Sequence, residues 1–283
     1  MIKIPYHCEQ KKDKKMTAKI IVFANEKGGT GKSTLAMHTI VALLRSGKKV
    51  ASFDLDPDQQ SLTRYVENRK TFIKEKGAQL PLPIHTCWTK DVANIYTLRG
   101  QLDKIKDEVD AIVLDTPGSH TPLGMEAMTL ADVLVTPMND SLVDLDILAL
   151  VDGDTLKIQG PSHFAQTVWS TRQQRMLERK PSINWLVVRN RMLFSKSKNS
   201  QTMSILLNAL ARRIHFELVG VVSERVVFRE LFLKGLTMLD FKENAVKLQN
   251  TVSSNTARQE LGALVNKIWG ADLNLNPVNA IQK

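Results

Sequence analysis

Residues 25–34 read NEKGGTGKST, from Asn25 to Thr34, and what flanks them decides the fold. They follow an apolar run of strand type, Ile20–Ile21–Val22–Phe23–Ala24, and open onto Leu35–Ala36–Met37–His38–Thr39–Ile40, a helical pattern. Strand, glycine-rich loop and helix in that order are the setting a phosphate-binding loop requires. At Gly28, Gly29 and Gly31 no Cβ stands in the way of backbone N–H groups turning inward. Those groups and the helix N-terminus make an anion nest for nucleotide phosphates. The expected nucleotide contacts are Gly28, Gly29, Thr30, Gly31, Lys32, Ser33 and Thr34. Lys32 reaches the terminal phosphates, and the Ser33 hydroxyl is placed for Mg²⁺. The strict spacing fails once: its first glycine would fall at Glu26, and Lys27 stands beside it instead.

This variant, K-G-G-x-G-K-[ST], resembles the deviant Walker A loop of the ParA/MinD ATPases. The resemblance implies ATP as the ligand. For Lys27 it implies a reach across a dimer interface to the partner's nucleotide.

Composition bounds the remaining possibilities. At 283 residues the chain is long enough for one α/β domain with a sizeable core, or at most two small ones. Its 43% hydrophobic and 24% charged residues are those of an ordinary soluble globule. Two cysteines, Cys8 and Cys87, make no disulfide framework, so a reducing cytoplasm is the expected compartment. No apolar run approaches the roughly 18 residues of a membrane span, and the first residues lack the apolar stretch of a secretory signal. Of the net charge of +10, residues 1–15 hold +3, as five lysines against Glu9 and Asp13. They read either as a basic, disordered leader or as an extension upstream of a true start at Met16. The remaining +7 suggests acidic partners such as DNA.

Strand candidates alternate with helical patterns, the signature of a doubly wound, mostly parallel sheet flanked by helices. The expected strands are 19–24, 49–53, 111–114, 132–136, 185–189 and 217–221. Helices are expected over 32–46, 59–76, 92–106, 123–130, 142–158, 200–213, 226–234 and 244–268. Residues 77–90, with Pro81 and Pro83, read as an irregular connection, as do 160–163 and 195–199. No repeat and no long linker divides 16–283, so one ATPase domain with a helical C-terminal region is expected.

Two strand ends supply carboxylates. Phe53–Asp54–Leu55–Asp56–Pro57 ends one, and Leu114–Asp115–Thr116–Pro117–Gly118 ends the other. Ligands of open parallel sheets sit outside the carboxyl ends of strands, so both groups are expected near the phosphates. Asp115 holds the Walker B position and is expected on Mg²⁺ with Ser33. Asp54, two residues before Asp56, would share its face and lie near the metal. Family resemblance assigns Asp56 to orienting the attacking water. Gly118 follows a turn where its backbone approaches the γ-phosphate. The resemblance also places an adenine-contacting Asn at the end of the strand closing with Val188–Arg189–Asn190, so Asn190 is the candidate; capping of the following segment is the other reading.

Basic residues crowd the C-terminal third: Arg189, Arg191, Lys196, Lys198, Arg212, Arg213, Arg225, Arg229 and Lys234. All but Arg189 and Lys234 are candidates for duplex phosphate contact without base readout; a solvated face is the alternative. Arg212 and Arg213 also complement a helix C-terminus.

Further stretches look like one branch of the family, the division-plane positioning ATPases known as MipZ. They are Asp56–Ser61 with Tyr65–Arg69, Leu134–Ser141, Thr167–Trp169 with Arg172–Gln173, Trp185–Arg191, and Arg229–Phe232 with Gly235–Thr237. The resemblance covers roughly residues 17–245. It implies an ATP·Mg²⁺ sandwich dimer, non-specific binding to chromosomal DNA, interaction with ParB, and inhibition of FtsZ polymerisation. Slow hydrolysis would reset it to monomer, and the protein would be cytoplasmic and nucleoid-associated. A ParA-type partition ATPase remains the nearest alternative. A MinD-type membrane-cycling ATPase is the next, though the 256–269 stripe has few cations (Arg258 and Lys267) for an anchor. An iron–sulfur relative is disfavoured, because neither Cys8 nor Cys87 reads as ending a strand near the nucleotide.

Overall fold

The structure, a computed structural model, describes residues 17–90, 94–192, 198–241, 252–273 and 275. Its elements are β1 (Lys19–Phe23), α1 (Lys32–Arg45), β2 (Val50–Asp54), α2 (Ser61–Lys76), β3 (Ile84–Cys87), α3 (Ile95–Ile105), β4 (Ala111–Asp115), α4 (Pro122–Leu130) and β5 (Val133–Asn139). A 3₁₀ turn over Leu142–Ile147 leads to β6 (Ala149–Val151), β7 (Ile158–Pro161), α5 (His163–Leu177), β8 (Asn184–Met192), α6 (Lys198–Ile214), β9 (Glu217–Ser223), α7 (Val227–Leu233) and α8 (Val252–Trp269).

Seven strands form one parallel sheet in the order β3-β2-β4-β1-β5-β8-β9. The central strands β2 and β4, VASFD and AIVLD, are buried at every residue. That explains why they read as continuous apolar runs and not as alternations. Side chains alternate between two cores. Val22 of β1 joins Leu98, Leu102, Ala127, Phe164, Val168 and Leu207 from α3 to α6. Ile21 and Phe23 join Leu35, Ile40, Tyr65, Leu231 and Leu264 from α1, α2, α7 and α8. Each such side chain, fully buried, contributes about 1.5–3 kcal/mol.

Register places the chemistry. Phe23 pairs with Asp115 and Asp54 pairs with Asp115, so three strands end level at one edge of the sheet. There the loop after β1, the turn after β2 and the loop after β4 converge.

Four expectations are corrected. Residues 160–163, expected as an irregular connection, end β7 and begin α5. Residues 77–90 include the edge strand β3, which the prolines concealed. Residues 142–158 are not a helix but a 3₁₀ turn followed by the antiparallel hairpin β6–β7. Cys87 does end a strand, level with Asp54; among the described residues no second cysteine accompanies it. The expected helix start at 244 lies outside the described residues, within which α8 begins at Val252.

Candidate functional site

The phosphate loop is built as glycine chemistry demands. Gly31 stands immediately before α1 with φ 94°, in the left-handed region where a side chain is strained. A Cβ there would also collide with the Asn190 amide. No side chain caps α1, so its first N–H groups stay open toward an anion. A Cβ on Gly118 would lie 3.1 Å from the Gly28 N and Cα, so the loop after β4 rests backbone to backbone on the phosphate loop. Around Gly28 nothing lies within 4 Å of where a Cβ would stand.

A cleft of about 610 Å³ opens over this loop. Gly28, Gly29, Gly31, Lys32, Ser33 and Thr34 form its floor, with Asp56 and Gly118 on its walls. A second cavity of about 310 Å³ adjoins it, walled by Leu35, Val222, Phe228 and Phe232. Gly31, Thr34, Arg191 and Phe232 belong to both. Asn190 lines the second cavity, and its Nδ2 donates to the Thr30 carbonyl at 2.7 Å. One face of that cavity is therefore the underside of the phosphate loop, and its apolar walls suit a planar base.

The charged groups within the cleft are unevenly solvated. Burial pushes the Lys32 ammonium below its ordinary value, although Asp115 and Asp56 oppose this; its Nζ donates to the Lys27 carbonyl at 3.1 Å. Burial pushes the Asp115 carboxyl up to about 8, reinforced by the adjacent Asp54 charge and opposed by a Ser33 hydrogen bond. Its Oδ1 is buried and has no hydrogen-bond partner. An orphaned carboxylate oxygen beside a serine hydroxyl is the donor set Mg²⁺ takes.

Asp54 lies beside Asp115 at the end of β2 and is held by backbone donors. Its Oδ2 accepts the Thr63 N–H at 2.8 Å and its Oδ1 the Asp56 N–H at 3.1 Å, with no exposure. It fastens the first turn of α2 to the end of β2, each oxygen accepting one backbone N–H. Burial raises its pKa. Asp56 turns the chain by accepting the Gln59 N–H at 2.9 Å and the Asp58 N–H at 3.1 Å, and it faces the cleft.

Lys27 points away from the cleft. Its Nζ donates to the Val143 carbonyl at 2.6 Å and lies 3.5 Å from Asp144. Sequence reasoning had no signal for this tether, because it depends on the 3₁₀ turn that replaces an expected helix.

The basic residues do not form one patch. Arg225 is a correction: it is 8% exposed, and its guanidinium grips Glu260 at 2.8 Å and Ser253 at 3.2 Å, fastening β9 to α8. Arg189 is similarly buried, against Asp140 at 2.9 Å. Arg191 stands at the mouth of both cavities with φ 52°, at an irregularity in the β8–β9 pairing. Arg229 is exposed and pairs with Glu224 at 3.0 Å. Arg212 and Arg213 are exposed at the far end of α6, which runs back from the carboxyl edge of the sheet and leaves them about 20 Å from it. Lys196 lies outside the described residues. Lys198 begins α6, but its side chain is outside them too.

Comparison with known proteins agrees with this geometry. The family model described as ATPase MipZ matches residues 19–272. A virulence plasmid ParA family protein of Chlamydia psittaci is 31% identical, over 45% of this chain and 60% of its own length. The chromosome-partitioning ATPase Soj of Thermus thermophilus is 30% identical, over 46% and 58%. The chain thus spans about three-fifths of the curated relatives it matches. Among solved structures, an ATP complex of Cyanothece McdA aligns with a TM-score of 0.60 at 16% identity, covering 90% of this chain and 98% of that one. Pyrococcus horikoshii MinD with Mg-ADP gives 0.57 at 18%, covering 89% and 96%. These likenesses carry the fold: a parallel sheet of the ParA/MinD phosphate-loop type.

Proposed function

The chain belongs to the MipZ family of ATPases, and from that membership we propose that it is an ATP-switched regulator of where a cell divides. The single observation that carries the nucleotide half of this reading is Asp115. Its buried oxygen, without a hydrogen-bond partner, lies beside Ser33 at the foot of a glycine loop, a donor set that suits Mg²⁺.

ATP binds with its phosphates over Gly28–Thr34 and its base in the adjoining cavity, against Phe228 and Phe232, with the Asn190 amide at its edge. Lys32 exchanges the Lys27 carbonyl for phosphate oxygens. Ser33 and Asp115 hold Mg²⁺, which when bound offsets charge on the phosphates. Asp56 orients the attacking water, and Gly118 carries the loop after β4 against the γ-phosphate. Slow hydrolysis makes the cycle a timer.

Two ATP-loaded chains close face to face, with Lys27 crossing to the partner's phosphates. Open space around Gly28 supports this reading, since a close-packed partner needs a bare backbone there. The dimer binds duplex DNA without sequence preference through exposed cations, Arg191, Arg212, Arg213 and Arg229 among them, and so resides on the nucleoid in the cytoplasm. Its protein partners are ParB and FtsZ, whose polymerisation it inhibits. No helix among the described residues is long and apolar enough to cross a membrane.

The test is sedimentation of FtsZ polymer with the purified protein, with and without ATP or a non-hydrolysable analogue. Loss of polymer only with bound triphosphate is the expected result. Undiminished polymer alongside ATP-dependent DNA binding would assign the chain to partition instead.

A further inference from the structure

Beside the nucleotide cleft, three side chains that the ATPase reading does not use come together from three segments. Glu26 belongs to the phosphate loop, His120 to the loop after β4, and His163 is the first residue of α5. One carboxylate oxygen and one ring nitrogen from each histidine all lie within 4.8 Å of one another. Glu26 Oε1 is 2.9 Å from His120 Nδ1 and 3.7 Å from His163 Nδ1. The two rings meet edge to face at 4.6 Å and 77°, so they approach the carboxylate from different directions.

We propose that Glu26, His120 and His163 form a binding site for a transition-metal ion of the Zn²⁺ class. Two imidazoles with one carboxylate are a donor set that Zn²⁺ accepts and that Mg²⁺, which prefers oxygen and water, does not. Zn²⁺ bonds of about 2.0–2.1 Å in tetrahedral geometry set donor atoms roughly 3.3 Å apart. The spacings of 2.9 Å and 3.7 Å bracket that value. Three protein ligands leave a fourth position for water. The α5 N-terminus opposes a cation, but only weakly at an exposed position, little beside three ligand bonds. All three residues keep solvent access, at 23%, 41% and 67% for Glu26, His120 and His163, so an ion has an entry path.

Such an ion joins two loops that a nucleotide switch must move. Glu26 immediately precedes Lys27, and His120 lies two residues beyond Gly118. Metal binding therefore clamps the phosphate loop to the loop after β4 and makes the switch sensitive to a second cation besides Mg²⁺.

The test is calorimetric titration of the full chain with ZnCl₂ at neutral pH, in the absence of nucleotide and Mg²⁺. A His7→Ala, Cys8→Ser background silences those two N-terminal donors. One Zn²⁺ per chain is expected, with affinity falling more than about tenfold in His120→Ala and in His163→Ala. Co²⁺ in place of Zn²⁺ should give the visible absorption bands of a tetrahedral site, lost in the double variant. Asp115→Asn should leave uptake unchanged. No stoichiometric uptake, or uptake that the histidine substitutions leave undiminished, would overturn the site and reduce the cluster to a hydrogen-bonded Glu26–His120 pair.

Discussion

The Lys27 ammonium is bound to the Val143 carbonyl at 2.6 Å, on the same chain and outside the cleft that its position in the loop would serve. Asp144 completes the tether at 3.5 Å and accepts the Asn139 N–H at 3.0 Å through its other oxygen. If Lys27 crosses to a partner's phosphates, dimerisation must first break this contact. Asp144→Ala weakens the tether without touching the cleft. The pair is partly solvated and therefore worth at most about 1 kcal/mol. Both chains lose a tether, so the expected outcome is an ATP-dependent dimer up to about thirtyfold tighter by analytical ultracentrifugation. A looser dimer would show that Asp144 acts at the interface and does not restrain it.

Gly28→Val separates nucleotide binding from assembly. A Cβ at Gly28 meets nothing within 4 Å, so the monomer tolerates it. The variant should bind ATP with near-normal affinity and remain a monomer. A normal dimer would move Gly28 away from the seam.

Lys32→Ala removes the Lys32 ammonium from the cleft and leaves Asp115 and Asp56 facing the phosphates. ATP affinity should fall by at least a hundredfold in a calorimetric titration. Asp56→Ala should instead keep ATP and the dimer but release little phosphate; unchanged phosphate release would refute its role in orienting water.

Asp115 allows a prediction with a definite sign. Burial pushes its carboxyl up to about 8 from an ordinary 3.8. The contribution of its protonated form is therefore full below about 4 and lost as pH rises through about 8. At neutral pH this buried carboxyl costs the nucleotide-free fold stability. Asp115→Asn should raise the thermal midpoint of the nucleotide-free protein by several degrees and abolish any further rise on adding Mg²⁺ with ATP. A lower midpoint without nucleotide would mean that the carboxylate is already satisfied.

The parts of this molecule that were legible in the sequence are those where one residue type has one physical use. Gly31 must be glycine for its positive φ, and β2 and β4, apart from Ser52 and their terminal aspartates, must be apolar because both faces are covered. Where burial is achieved by other means, the pattern misleads. The inner face of α5 includes Thr167, Thr171 and Arg175, of which Arg175 is satisfied by the Pro181 and Thr129 carbonyls, so no apolar period marks it. Leu142, Leu145, Leu148 and Val151 do follow a helical period, yet Asp152 accepts the Asp154 and Thr155 N–H groups and turns the chain into a hairpin. Arg225 reads as a surface cation until Glu260, 35 residues away, is found beside it.

One buried and one partly buried histidine, His38 and His85, set the response of the fold to mild acid. His38 joins α1 to the segment after α7: Nδ1–H donates to the Thr34 carbonyl at 2.8 Å, and Nε2 accepts the Met238 N–H at 3.2 Å. The bond from Met238 needs the neutral ring, and burial pushes its pKa down to about 4 from 6.5. His85, between Ser52 and Thr63, is lowered by burial to about 4 as well. Above 6.5 folded and unfolded chains are both neutral there, and the contribution is complete. Between 6.5 and 4 the unfolded chain takes up protons that the folded chain refuses, so stability falls as pH falls, by on the order of 3 kcal/mol per histidine. Asp240 acts only lower. Burial would raise it, but Arg69 at 2.7 Å and Arg45 hold it at about 2, so its contribution is lost as pH falls from 3.8 through 2. The Asp115 effect has the opposite sign, so the measurement belongs in the Asp115→Asn background. Urea midpoints there should drop steeply between pH 6.5 and 4, and His38→Gln should remove about half of the slope. A slope unchanged by His38→Gln would show that the ring is charged inside the fold, with Thr34 and Met238 bonded in some other way.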